Sequence, residues 1–217
     1  MKKLWLALWV CAALLPRAAA LSAAAAVTMD ADTGETLFAE NADSRLPMAS
    51  TTKIMTALVA LGEGDLDRVY TVKKQYAAVE GSSMYLEEGE RLTLRDTLYG
   101  LLLSSGNDAA AAVAGECGGE RAFVDKMNAK ARELGLTDTR FENPSGLPSD
   151  GHYTTARELA KITAAALRDP VFRDIVSTKT CRPHARQPQP SAQSVRGRDR
   201  RQDRLHARCR ALSGVGS

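Results

Sequence analysis

The sequence predicts an α/β domain of the α+β kind: a β-hairpin followed by a helical body. Three observations predict it. The runs Ala26–Asp30 and Thr36–Glu40 flank a polar turn, Asp32-Thr33-Gly34-Glu35, which is the pattern of strand, turn and strand. Apolar residues then recur at helical spacing in successive segments between Ser50 and Val176. A length of 217 residues suits one domain, or one domain with a tail.

Each element has its own signal. After the hairpin, Leu46 to Ala49 is an extended lead-in. From Ser50 a helix runs through Ile54, Met55, Leu58, Val59 and Leu61 and stops at Gly62, with Pro47 ahead of it. Val69 to Glu90 reads as mixed loop and short strand. Thr93 to Leu103 is a helix with Thr93 as N-cap and Leu94, Leu98, Leu101 and Leu102 on one face. Ser104-Ser105-Gly106 breaks it. Asn107 to Glu116 is a second, Ala-rich helix, and Glu120 to Leu134 is a third, with Phe123, Met127 and Leu134 inward. Phe141 to Pro148 is a loop marked by Asn143-Pro144 and Ser145-Gly146. Helices follow at Thr154–Leu167 and from Asp169-Pro170 to about Val176.

Residues 1–25 read as an export signal. Met1-Lys2-Lys3 is a basic start, Leu4 to Leu15 is an apolar run of twelve, and small residues follow. That run is too short to span a bilayer comfortably. An exported, extracytoplasmic protein is expected. After cleavage Cys117, Cys181 and Cys209 remain, an odd number that sets no disulfide framework. Cys117, at the end of an Ala-rich helix, reads as a small buried side chain. No Cys/His cluster has metal spacing and no Gly-rich phosphate loop follows a strand. No metal and no cofactor is therefore expected.

The formal charge of +3 conceals two different segments. Residues 181–217 carry nine Arg, two Asp and no Lys, hence +7, which leaves −4 for residues 1–180. The basic total belongs to the tail and gives no reason to expect nucleic-acid binding by the domain. Beyond Thr180 no period of 2 or 3.6 survives. Three readings compete for 181–217: a solvated basic tail without fixed structure, an arm for nucleic acid or anionic surfaces, or a GC-rich gene read in a shifted frame. The abrupt Arg-rich, Pro-rich, Lys-free composition favours the last.

The candidate chemistry starts at Ser50-Thr51-Thr52-Lys53. At a helix start, positions i and i+3 share a face. A serine hydroxyl needs a base to take its proton, and a lysine can be that base only when neutral. Burial and nearby positive charge both favour the neutral amine. The motif alone is weak, since about one Ser-x-x-Lys arises by chance in a chain this long. Ser50 would serve as well as an N-cap, and Lys53 as a solvated residue. His152, alone in a loop, reads as structural.

The surrounding residues strengthen the motif. Pro47-Met48-Ala49-Ser50-Thr51-Thr52-Lys53-Ile54-Met55 resembles the nucleophile segment of the D-alanyl-D-alanine carboxypeptidases, the low-molecular-weight penicillin-binding proteins. Leu101 to Ala109, with Ser105-Gly106-Asn107 at its centre, resembles their second motif. Met29 to Glu35 and Phe141 to Ala156 resemble further stretches. The likeness covers about residues 26 to 180, and motifs in this order are far more specific than any one of them. It implies a β-lactamase/penicillin-binding-protein-like fold, with an N-terminal hairpin and a helical subdomain. It also implies a serine-type peptidase that trims the terminal D-Ala from peptidoglycan stem pentapeptides and is inhibited by β-lactams. Ser50 would be the nucleophile, Lys53 its base and Ser105 a proton relay. Asn107 would orient the substrate amide or the lysine.

Two departures matter. Ser-Gly-Asn, with no deacylating Glu-x-x-x-Asn after it, favours the carboxypeptidase over a class A-like β-lactamase. The third motif that the resemblance implies, Lys-Thr-Gly on a cleft-lining strand, is absent from the sequence; Lys179-Thr180-Cys181 comes too early and carries Cys in place of Gly. Three expectations follow. Residues 26–180 form a partial transpeptidase-like domain whose C-terminal sheet strands are missing. The chain as given is inactive or nearly so. Membrane association would need a C-terminal anchor that this sequence does not contain. The alternatives are a non-catalytic peptidoglycan-binding remnant and a basic-tailed binding protein on the same fold.

Overall fold

A computed structural model describes residues 22–179. Most of the expected signal segment and the whole tail from 181 lie outside the described residues.

The N-terminal hairpin is present. Strand β1 (Ala26–Met29) pairs antiparallel with β2 (Thr36–Glu40), Val27 opposite Ala39 and Thr28 opposite Phe38. Asp30 makes the turn: its carboxylate accepts from the Asp32 and Thr33 amides and the Thr33 hydroxyl. Those bonds hold its pKa below the usual carboxylate range. β1 rests on the helix Ala156–Ala166. All five residues of β2 are exposed, Leu37 at 65% and Phe38 at 43%. Among the described residues this sheet has two strands, and β2 presents its outer edge.

A short 3-10 turn (Ala49–Thr51) leads into helix α1 (Thr52–Leu61), capped by Gly62. The helical pattern expected from Ser50 therefore begins as a tighter turn, and the α-helix starts two residues later. α1 is the central post. It touches α3 (Leu94–Leu103), α4 (Asn107–Glu116), α5 (Glu120–Glu133), α6 (Ala156–Ala166) and α7 (Pro170–Val176). Its inward residues Met55, Ala57 and Ala60 are buried with Leu98, Leu101, Val113, Phe123, Met127, Ile162 and Ile175. Ala109, Ala110 and Ala114 on α4 let that helix lie close to its neighbours. Cys117 is buried and free, as its composition-based reading expects.

The region read as mixed loop and short strand, Val69–Glu90, holds β3 (Val69–Thr71) and the four-residue helix α2 (Lys74–Ala77); β3 pairs antiparallel with β4 (Arg91–Thr93), just beyond it. Tyr70, Val72, Tyr76 and Leu86 form a smaller core against Ala112 of α4. Thr93 closes a full capping box with Asp96 at the start of α3. α6 starts at Ala156, two residues later than the helical pattern suggests. Thr154 exchanges backbone bonds with Leu46, and Thr155 spends its side chain capping the Glu158 amide. α7 begins at Pro170 behind the Asp169 cap.

Candidate active site

Three pieces of chain meet at Lys53: the first turn of α1, the start of α4, and the loop 141–153. Lys53 is 2% exposed, while Ser50 one turn earlier is exposed. The Lys53 ammonium lies 3.2 Å from Ser50 Oγ, 2.9 Å from Asn107 Oδ1 and 2.7 Å from the Ser145 carbonyl oxygen. An accessible hydroxyl thus stands on a buried amine. Ser50 does not line either of two open depressions of about 360–370 Å³ that lie along α5 among the described residues.

The elements explain the placement. Ala49 has φ 46, a left-handed conformation that turns the lead-in sharply into the 3-10 turn and projects Ser50. Opposite stands Gly146, at φ 89, where a Cβ would overlap the Ala49 carbonyl. Both the positive φ and that close approach require glycine there. Ser105, at φ 53, makes the break between α3 and α4 and is half-buried. Asn107 opens α4. Its Nδ2 donates to the Glu80 carbonyl, which fixes the amide so that Oδ1 faces Lys53. Asp108 is 1% exposed and accepts from the Ser83 hydroxyl and the Met84 and Leu86 amides, strapping the 82–86 loop to the start of α4.

Of the four candidate residues, Ser50, Lys53 and Asn107 are joined by hydrogen bonds. Ser105 is two residues from Asn107 in the chain and is not among the groups bonded to Lys53. The loop 141–153 contributes more than the sequence reading assigned to it. Ser145 supplies a carbonyl to Lys53, and Pro144 supplies one to the buried Thr56 hydroxyl at 2.7 Å. His152 is buried. Its Nδ1 accepts from the Glu142 amide at 3.0 Å, so the proton sits on Nε2 and donates to Thr52 Oγ1 at 2.7 Å. Burial lowers the His152 pKa, with Glu142 acting in the opposite sense, which suits this neutral tautomer. A carbonyl leaves no mark in a one-letter code. The Asn-Pro-Ser-Gly turn signal and the family resemblance of Phe141 to Ala156 pointed at this loop, and neither singled out its carbonyls.

Burial pushes the Lys53 pKa down from 10.5 to about 8, and the Asp108 carboxylate pulls it the other way. At neutral pH a minority of molecules therefore carries the free amine, far more than an exposed lysine would. The same shift has a stability consequence. The unfolded chain keeps this proton to about pH 10.5 and the folded chain releases it near 8. Between those values the unfolded state binds more protons, and stability rises with pH. Relative to Lys53→Met, the wild-type chain should gain about 1 kcal/mol of unfolding free energy between pH 7.5 and 9. Urea titrations of both at the two pH values measure it. Equal changes in the two chains would show that Lys53 is not the depressed group. Cys117, whose thiol burial pushes up to about 11, titrates in both and cancels.

Comparisons with known proteins show the family. The profile of the D-alanyl-D-alanine carboxypeptidases, peptidase S11, matches residues 12–196. The chain belongs to the D-alanyl-D-alanine carboxypeptidase family. It is 43% identical over 153 residues to D-alanyl-D-alanine carboxypeptidase DacF of Bacillus subtilis, covering 67% of this chain and 39% of that protein. It is 38% identical over 172 residues to the D-alanyl-D-alanine carboxypeptidase of Streptomyces sp. strain K15, covering 73% and 59%. Among solved structures, the D-alanyl-D-alanine carboxypeptidase of Mycobacterium tuberculosis superposes with a TM-score of 0.70 at 38% identity, covering 72% of this chain and 60% of that one. The Streptomyces K15 DD-transpeptidase gives 0.67 at 38%, covering 71% and 63%. The α+β, penicillin-binding-protein-like fold expected from the sequence is thus shown. The chain spans about 40–60% of the length of these two curated carboxypeptidases.

Proposed function

We propose that this chain carries the serine acyl-transfer centre of a D-Ala-D-Ala carboxypeptidase acting on peptidoglycan stem peptides outside the cytoplasm. The observation that carries the reading is the exposed Ser50 hydroxyl set on a buried lysine whose other contacts are acceptors. Neutral Lys53 takes the Ser50 proton as Oγ attacks the carbonyl carbon of the penultimate D-Ala. The Ser50 amide donates to the developing oxyanion. The C–N bond then breaks. The terminal D-Ala leaves with a proton returned from Lys53, with Ser105 relaying it, and Ser50 is left esterified. Water hydrolyses that ester with Lys53 as base, giving the tetrapeptide and free serine. No metal or cofactor enters these steps. A β-lactam amide opens by the same attack, and its leaving group stays tethered, so the ester persists.

The test is covalent labelling of the purified chain by a fluorescent penicillin, read by intact mass. One penicillin per chain on prolonged incubation, absent in Ser50→Ala, is the expected result. A folded chain that binds peptidoglycan and never acylates would overturn this reading in favour of a non-catalytic binding remnant. The absence of Lys-Thr-Gly from the sequence is what favours that second reading.

A further inference from the structure

We propose that Asn143 is a positioning residue for the acyl-transfer step: it folds the 143–147 turn so that the Ser145 carbonyl, with Asn107 Oδ1, aims the lone pair of neutral Lys53 at Ser50. This inference rests on the proposed role of Lys53 as base and extends it to a residue that touches neither substrate nor lysine.

The chemistry at Lys53 Nζ is restrictive. A neutral amine has two N–H donors and one lone pair. The Ser145 carbonyl and Asn107 Oδ1 are acceptors only, because the Glu80 carbonyl has fixed the Asn107 amide. Each therefore takes one N–H. The remaining direction points at Ser50 Oγ, 3.2 Å away, and there the lone pair must lie. A lysine free to rotate would spend most of its time with a hydrogen facing the hydroxyl. Two fixed carbonyls remove that freedom before substrate arrives.

The Ser145 carbonyl owes its position to Asn143. Asn143 Oδ1 accepts from the Gly146 amide at 2.7 Å, the Leu147 amide at 3.1 Å, and the Ser145 amide and hydroxyl at 3.2 and 3.1 Å. Its Nδ2 donates to the Leu147 carbonyl at 2.9 Å. One side chain thus organises the amides on both sides of Ser145. Pro144 O to Thr56 and His152 to Thr52 then pin the turn to α1. The lysine is walled in by this turn, so losing the turn also admits water. The titratable and charged groups around Lys53 are few. Asp108 faces it from the start of α4 and favours the ammonium. His152 stands behind Thr52 as a neutral ring, and Glu142 lies beyond it. The Glu80 residue is exposed.

The experiment follows Lys53 itself and so does not require the chain to acylate. Lysine labelled with 13C at Cε is incorporated into the full chain, the Lys53 signal is assigned from Lys53→Met, and it is titrated. With the turn undone in Asn143→Ala, water reaches the ammonium, and the midpoint should rise by about one pH unit from the wild-type value. Asn143→Ser keeps an uncharged oxygen that can cap the same amides and should show less than half that rise. Where penicillin labelling is seen, its rate at pH 7.5 should fall about tenfold in Asn143→Ala, with the pH limb displaced by the same amount. A residue that merely supports the fold would lower the melting temperature and leave the Lys53 midpoint in place; that result overturns the proposal. If Asn143→Ala does not fold, Asn143→Gly at a temperature where it is folded replaces it: a raised midpoint supports the proposal and an unmoved midpoint overturns it. Absence of labelling with the expected midpoints would refute the carboxypeptidase reading, and with it the acyl-transfer role, and leave standing only the hold of the Asn143 turn on Lys53.

Discussion

Purified as 217 residues, the chain should release D-Ala from a stem pentapeptide at least about 10²-fold more slowly than a full-length relative such as the Streptomyces K15 enzyme. On the proposed mechanism, Ser50, Lys53 and Asn107, joined by hydrogen bonds, serve as nucleophile, base and orienting group. The family resemblance assigns two further tasks to the strand bearing Lys-Thr-Gly: holding the substrate carboxylate and supplying a second oxyanion donor. The sequence contains no such motif. Loss of one oxyanion donor alone costs about 10²–10³ in rate, because the donor acts where charge develops in the transition state. Loss of the carboxylate contact adds to that through binding. A coupled D-amino-acid oxidase assay, with Ser50→Ala as blank, measures the rate. Turnover within about tenfold of the relative would refute the argument.

The helical body was legible in the sequence because its signals are local. Ile54, Met55, Leu58, Val59 and Leu61 fall on one side of α1 by their spacing, and Thr93 with Asp96 spells out a capping box. The hairpin of β1 and β2 was legible for the same reason, since Asp30 and Gly34 build its turn within a few residues. The pairing of β3 with β4 was not. Each strand is three residues long, too short to show alternation, and their partnership depends on the packing of Tyr70, Val72 and Leu86 under α4. At the site, Ser50, Lys53 and Asn107 stood out as side chains in a pattern. The Ser145 carbonyl did not, because its role comes from backbone brought 92 residues along the chain to the lysine. His152 was read as structural. Its buried ring joins the 141–153 loop to the helix that carries the lysine, a structural role whose partners the sequence did not name.

Lys-Thr-Gly is expected in the gene, one base out of frame, across the codons of Gln202, Asp203 and Arg204. For that shift the genetic code allows few disguises. The overlapping residues must be Lys, Gln or Glu, then Asp or Asn, then Arg, Gly or Trp. Among residues 181–217 that run occurs once, at Gln202-Asp203-Arg204. The codons CAA-GAC-CGG, read from their second base, give AAG-ACC-GG and whichever base comes next, which is Lys-Thr-Gly. A shifted frame also accounts for the tail's composition: nine Arg and no Lys follow a domain that uses both freely. Sequencing the gene tests this directly. CAG at codon 202 would encode Arg in the shifted frame and sink the idea. If the codons are as expected, deleting one base between codons 180 and 202 restores the motif. The restored product should then release D-Ala at least about 10²-fold faster than the 217-residue chain, since it regains the oxyanion donor and the carboxylate contact together. An unchanged rate from a folded, motif-bearing product would show that the deficit lies elsewhere than in the third motif.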